Sequence, residues 1–188
     1  ALAASMQLSD PSITDMLKKL SERGVVRYTP SKGVELTSGG ISMAMKILRR
    51  HRLWEMFLVK HLGYSWDQIH EEAEQLEHVT SDLLEQKLDE LLGYPSVDPH
   101  GDPIPSVDGR LDRPLLTALA ECEAGDTVCV TRVSDGEPRI LQHATRLGVG
   151  LRTRLFVREK MAFDGSMTLD LDTKELFVSR EVAQAICV

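Results

Sequence analysis

The stretch "WDQIHEEAEQLEHVTSDLLEQKLDELLG", residues 66–93, decides how the chain is read. At about 100° per residue, His70, Glu74, Glu77 and His78 fall within roughly a 100° arc of one helix. Ile69, Ala73, Leu76 and Leu83 fall on a different arc, which reads as the buried face. The spacing predicts a single helix from about Trp66 to Leu92, with Gly63 and Gly93 as the stops on either side. One helix earlier, "RRHRLWEMF" (49–57) sets His51 and Glu55 at i and i+4, on one face. That helix is expected from about Ser38 to Leu62, with Met43, Ile47, Leu53, Phe57 and Leu58 on its apolar side. Packing the two helices as neighbours gathers His51, Glu55, His70, Glu74, Glu77 and His78 in one region. With no thiolate among them, the donors are hard and mixed N/O, which suits Mn²⁺ or Fe²⁺ better than thiolate-rich zinc or Cu(I) sites do. Each His–Glu pair alone reads equally as a surface contact worth a few tenths of a kcal/mol. The six residues by themselves leave both readings open.

Outward toward the N-terminus, "ALAASMQLSDPSITDMLKKLSERG" (1–24) reads as two helices separated by a tight turn. Ser9 is the expected N-cap and Pro11 sits in the first turn. Ile13, Met16, Leu17 and Leu20 recur at helical spacing, and Gly24 ends the helix. "VVRYT", the turn "PSKG" and "VELT" follow as a β-hairpin. Helix, turn, helix and hairpin in that order is the layout of a winged helix-turn-helix. Its second helix is expected in the major groove, with Lys32 at the wing tip near a phosphate.

Outward toward the C-terminus, "GYPSVDPHGDPIPSVDG" (93–109) is dense in Pro, Gly and Asp. It reads as a linker or extended connection and not as a core element. Asp98, His100 and Asp102 there carry ligand-type side chains, but turn formation is the preferred explanation. After Arg110 come short β-type runs: "TVCVTRV" (127–133), "RTRLFVRE" (152–159), "MTLDLD" (167–172) and "ELFVS" (175–179). One helix near "PRILQHATRLG" interrupts them, and the pattern predicts a small closed barrel.

Charge is unevenly distributed over the 188 residues. Residues 1–60 hold ten Lys/Arg against five Asp/Glu, whereas the remainder holds twelve against twenty-four. A basic N-terminal third on an acidic body fits a phosphate-binding module attached to something else. No apolar run reaches membrane-span length and the opening residues do not read as a signal peptide, so a cytoplasmic location is expected. Cys122, Cys129 and Cys187 lack metal-finger spacing and read as buried thiols in a reducing compartment.

Taken together, "SDPSITDMLKKLSERGVV", "GVELTSGG" and the continuous run from Leu48 through "HEEAEQLEH" to "DPHGDPIP" resemble the diphtheria toxin repressor family of iron- and manganese-dependent transcriptional regulators. The match covers about residues 1–105. Residues 111–188 resemble, less closely, the SH3-like barrel, related to the iron-transport accessory module, that many members carry. The resemblance implies an α+β fold. Its parts are a winged helix-turn-helix DNA-binding domain at 1–45 (first helix missing) and a helical metal-binding and dimerisation domain at 46–95. A linker at 96–112 and an SH3-like domain at 113–188 follow. It also implies a homodimer that binds a palindromic operator in double-stranded DNA when metal is bound, with no membrane partner and no small organic cofactor.

In the family pattern the primary metal site uses the positions of Glu74, Glu77 and His78, and a second site those of His51, Glu55 and His70. Glu74 stands where the iron-sensing branch has Cys, a hard donor in place of a soft one, which tilts the expectation toward Mn²⁺, with Fe²⁺ as the alternative. The family's first helix supplies a further ligand, and the chain opens at "ALAASM", already in the next helix of the pattern. The second-site residues are therefore expected to retain metal and the primary site to be less occupied. The DNA-facing positions carried over are Ser9, Pro11, Ser12 and Asp15, with Lys18 nearer the backbone. Ser9 and Ser12 can donate to phosphate, Pro11 can pack on a thymine methyl, and Asp15 can accept from a cytosine amino group. A capping box on a solvated helix face accounts for the same residues. Asp135, Glu137 and Gln142 are candidates for a carboxylate or amide lent by the barrel to the second metal. The rivals from other classes are a dinuclear metallohydrolase built on the same cluster and a metal-independent winged-helix adaptor.

Overall fold

The computed structural model describes residues 2–30, 32–112 and 114–188; Ser31, within the expected hairpin turn, lies outside the described residues. The chain divides into two compact units, residues 1–49 with 105–110, and residues 50–104 with 111–188.

In the first unit a short helix α1 (Leu2–Ser5) precedes α2 (Asp10–Glu22). Ser9 caps α2 as its spacing predicts: the hydroxyl accepts from the Ser12 N–H at 3.3 Å, and Pro11 occupies a first-turn position whose N–H would be unpaired anyway. Gly24, at φ 71°, turns the chain into β1 (Val26–Thr29), which pairs antiparallel with β2 (Gly33–Leu36). Thr37 ties the hairpin base to the next helix: its hydroxyl donates to the Gly24 carbonyl at 2.6 Å and accepts from the Gly40 N–H at 3.0 Å. Gly40 packs so closely that a Cβ would stand 2.0 Å from the Val25 carbonyl oxygen. Ile13, Leu17 and Val26 form the buried centre of this unit. Helix α3 (Ser38–Leu62) keeps the predicted bounds and contributes residues to both units. Met43, expected on its apolar side, is exposed in the first unit.

In the second unit the helix expected over 66–92 is two helices, α4 (Ile69–Glu77) and α5 (Asp82–Leu92). The break is held by side-chain hydrogen bonds. The Thr80 hydroxyl donates back to the Leu76 carbonyl at 2.7 Å and accepts from the Trp54 indole N–H at 2.7 Å, while the Ser81 hydroxyl caps α5 by accepting from Leu84 N–H. The interruption rotates α5, so that Leu83, expected on the buried arc, is 67% exposed, while Ile69 and Ala73 are fully buried. Leu53 of α3 packs with Leu88 and Leu92 of α5, and Arg50 bridges Asp82 at 2.6 Å and the buried Glu85 at 2.9 Å.

The segment 93–104 does not behave as a linker. Asp98, His100, Gly101 and Ile104 are buried, and the segment is strapped to both neighbours in this unit. Arg52 reaches Asp98, Asp102 and the Pro103 carbonyl, and Arg132 reaches Asp102 at 2.9 Å. Gly101, at φ 94°, lies where a Cβ would meet the Thr131 carbonyl oxygen at 2.1 Å. Burial of Pro/Gly/Asp turns is possible because Asp98 Oδ1 satisfies the N–H groups of His100 and Asp102 at 2.8 and 2.9 Å.

The C-terminal strands form an antiparallel sheet in the order β3 (Thr127–Cys129), β5 (Arg154–Lys160), β6 (Met167–Leu171) and β7 (Lys174–Val178). The run 127–133 is split: β4 (Arg132–Val133) leaves that sheet to pair with β8 (Ile186–Cys187). Helix α6 (Pro138–Leu147) lies where its sequence predicts, and a further short helix, α7 (Arg180–Ala185), follows β7, capped by the Ser179 hydroxyl. Alternation on β5 sends Leu155 and Val157 into a core with Val133, Leu141, Met167 and Ile186, and leaves Arg154 and Phe156 outside. The three thiols are free, and only Cys122 is buried; Cys129 is exposed. Among the described residues no helix is long and apolar enough to cross a membrane.

Candidate metal centre

His51 is the hub of the site. It lies four residues before Glu55 on α3, so both side chains leave the same helical face. Its Nε2 is 3.0 Å from Glu55 Oε1 and 3.1 Å from His70 Nδ1 of α4, while its Nδ1 is 2.7 Å from Glu77 Oε2. His70 Nδ1 and Glu55 Oε1 are 3.6 Å apart, and the two imidazoles meet edge to face with centroids 4.7 Å apart. One donor atom each from His51, Glu55 and His70 therefore fits within 4.8 Å. The Glu55 side chain is 1% exposed and His51 11%, whereas His70 is 62% exposed at the mouth.

A carboxylate buried that deeply requires positive charge or donors beside it. Burial pulls the His51 pKa down, but the hydrogen bonds and negative charges of Glu55 and Glu77 outweigh it, and His51 is held above the usual imidazole range. Glu55 Oε1, His51 Nε2 and His70 Nδ1 are gathered in one small region. Protons hold such a cluster at low pH, and a divalent cation satisfies the same donor set.

The other three predicted ligands are less closely joined. Glu77 is buried and sits beyond His51, on the nitrogen that faces away from Glu55. His78 is the C-cap residue of α4 and is exposed, its Nε2 3.3 Å from Glu77 Oε1. Glu74 is exposed on α4, one turn beyond His70.

Two residues that sequence reasoning assigned to turn formation stand beside the cluster. His100 is 1% exposed, stacks on Trp66 with centroids 5.7 Å apart, and leaves Nδ1 buried without a hydrogen-bond partner among the described residues. Burial lowers its pKa, against the charges of Glu55, Asp135 and Asp102. A buried imidazole nitrogen with no donor or acceptor opposite it is costly and points to a missing partner. Burial and the Glu55 charge push Asp98 up to about 7, against its backbone donors and Arg52. The signal was the ligand-type spacing in "DPHGDP"; what sequence alone withholds is its burial against α3. Of the barrel candidates, Asp135 is exposed but its charge is felt by His100, Gln142 pairs with Asp67, and Glu137 is the N-cap residue of α6 without a side-chain cap bond.

The six DNA-facing candidates, Ser9, Pro11, Ser12, Asp15, Lys18 and Lys32, are all exposed in the first unit. Ser9 and Ser12 share a 2.8 Å hydroxyl contact at the helix start, and Asp15 pairs with Lys19 at 2.7 Å.

Fold and site together define a helical module with a His/Glu cluster that could hold a metal ion, followed by a small antiparallel β-domain. Residues 37–106 match the family model "iron dependent repressor, metal binding and dimerisation domain", and residues 117–188 match the FeoA domain. A manganese-dependent transcriptional repressor in complex with manganese superposes with a TM-score of 0.87 at 40% identity, covering 100% of this chain and 87% of that one. ScaR with bound Cd²⁺ superposes with a TM-score of 0.80 at 34% identity, covering 98% of this chain and 87% of that one. The iron-dependent repressor IdeR of Mycobacterium leprae is 32% identical over 136 residues, 69% of this chain. The chain belongs to the diphtheria toxin repressor family of metal-dependent transcriptional regulators. The aligned part spans 59% of the length of IdeR.

Proposed function

We propose that the protein is a DNA-binding transcriptional repressor of metal-uptake genes that engages a palindromic operator as a homodimer when Mn²⁺, or alternatively Fe²⁺, is bound. The observation that carries this reading is the convergence of His51, Glu55 and His70, one donor atom from each within 4.8 Å. In this reading those three residues hold a cation. Glu74, Glu77 and His78 serve a neighbouring site in the family pattern, and the unpaired Nδ1 of His100 lies within electrostatic reach of both Glu55 and His70. The all-N/O donor set favours manganese over softer metals.

His51, Glu55 and His70 would hold the cation, which would supply positive charge beside the buried Glu55 and Glu77 carboxylates. His51 and Glu55 belong to α3, the helix that also contributes residues 38–49 to the first unit. Fixing these side chains against His70 orders α3 relative to α4, and the helix shared by both units conveys that order. The differential affinity of metal for the DNA-competent state sets the ceiling on switching, typically ~1–3 kcal/mol. α2 would enter the major groove as the recognition helix of a winged helix-turn-helix, with Ser9, Pro11, Ser12 and Asp15 facing bases or phosphate, Lys18 near the backbone and Lys32 on the wing. Asp15 would exchange Lys19 for a base donor. Val79, Leu83, Leu84 and Leu91 leave apolar surface exposed on and beside α5, which supports a self-association surface.

The dinuclear metallohydrolase reading gains no support, because the relatives are named as transcriptional repressors. The test is fluorescence anisotropy on DNA selected from a random library by the Mn²⁺-loaded protein. Affinity at least tenfold tighter with Mn²⁺ than after chelation is expected; equal affinity in both states defeats the proposal.

A further inference from the structure

Away from the metal cluster, the second unit contains a cleft of about 970 Å³ that none of His51, Glu55, His70, Glu74, Glu77 and His78 lines. Its apolar part is built by Trp66, Leu92, Tyr94, Val97 and Leu151. Trp66 is fixed in place, its indole N–H donating to Thr145 Oγ1 at 2.6 Å. At Gly148, Arg152 and Thr153 the cleft continues into a second depression of about 580 Å³, lined also by Arg154 and Lys174. Lys60 also lines the larger cleft. A volume of this order with mostly apolar walls and a few convergent charges is the form small-molecule sites take.

The charges are what give the cleft a chemistry. Residues 61–188 carry twice as many acidic as basic side chains, yet this surface gathers Arg152, Arg154 and Lys174 from that segment, with Lys60 of α3 as a fourth cation. None of the four is in an ion pair among the described residues. The carboxylates nearby do not neutralise them: Asp98 is buried against Arg52, and Asp172 is a single exposed acid at the far end. Both Tyr94 (φ 55°) and Arg152 (φ 65°) hold left-handed backbone, which disfavours a residue with a Cβ and here sets each on the cleft wall.

We propose that this cleft binds a small amphiphilic anion, its apolar body against Trp66, Tyr94, Val97 and Leu151 and its head group on Arg152, Arg154 and Lys174. Carboxylate and phosphate heads share that chemistry. The sequence gives no motif for the site because its walls come from α3, the 92–99 strap, α6 and the strands on either side of the 171–174 turn. The inference does not depend on metal and is tested without it.

The experiment is isothermal titration of the purified chain with decanoate, decyl phosphate, decanol and inorganic phosphate, each separately and in chelator. Decanoate or decyl phosphate is expected to bind at one per chain, at least tenfold more tightly than either decanol or inorganic phosphate; which head prevails distinguishes the two sources. The double variant Arg152→Gly, Lys174→Gln is expected to lose at least tenfold, since glycine removes the cation while suiting the φ at 152. Should that variant fail to fold, Val97→Glu places an acid on the exposed apolar wall and is expected to weaken both anions by a similar factor. Decanol binding as tightly as the anions, inorganic phosphate alone binding as tightly, unchanged affinity in whichever variant folds, or no binding overturns the proposal.

Discussion

His51 touches Glu55, His70 and Glu77 at once, so its loss both removes a donor and leaves the buried Glu55 carboxylate without its nearest partner. Groups that merely orient a metal ligand typically cost 10–100-fold in affinity when removed. His51→Ala is therefore expected to cost on the order of 100-fold or more in Mn²⁺ affinity by titration calorimetry. Glu74→Gln, at an exposed position, is expected to cost less than about tenfold on the same basis; reversal of that order would show that the cluster was read from the wrong end. The raised pKa of His51 also fixes the sign of two pH effects. In the metal-free protein, the stability due to protonated His51 is fully present below its unfolded value and is lost as pH rises through the elevated folded value. Metal competes with that proton, so Mn²⁺ affinity rises with pH over the same window and binding releases protons there. Calorimetry in two buffers of different ionisation enthalpy measures that release; pH-independent affinity with none released would contradict the assignment.

At the scale of elements, periodicity located α2, α3, the hairpin and most of the barrel strands, because each carries its apolar pattern within its own residues. The break between α4 and α5 was not legible. It depends on Trp54, 26 residues away in the chain, holding the Thr80 hydroxyl, and a helical wheel contains no such information. The burial of the Pro/Gly-rich strap was missed for a related reason: Arg52 and Arg132 pin it from outside. The candidate site was legible in the i,i+4 spacing of His51 and Glu55 and in the stripe from His70, whereas the places of His100 and Asp98 depend on that tertiary docking. Gly101 tests the strap directly. Gly101→Ala forces a Cβ against the Thr131 carbonyl at a positive φ, and a loss of about 3 kcal/mol in denaturant unfolding is expected. A loss under about 0.5 kcal/mol, the level of an ordinary surface substitution, would mean that the strap is not held as described.

For the molecule as a whole, residues 1–60 are net basic and the remainder net acidic, the distribution expected if the N-terminal unit meets phosphate. Leu83, at 67% exposure on α5, is the position where a charge should separate protomers without disturbing the core. On the proposed homodimer, sedimentation of the parent chain as a dimer and of Leu83→Asp as a monomer is expected; a dimer in both would place the interface elsewhere. The central claim is that α3 and α4 together hold a divalent cation. Anomalous diffraction from crystals grown with Mn²⁺ tests it most directly. A manganese peak within bonding distance of His51, Glu55 and His70 is the expected result, and manganese absent there, or bound only at unrelated surface carboxylates, would contradict it.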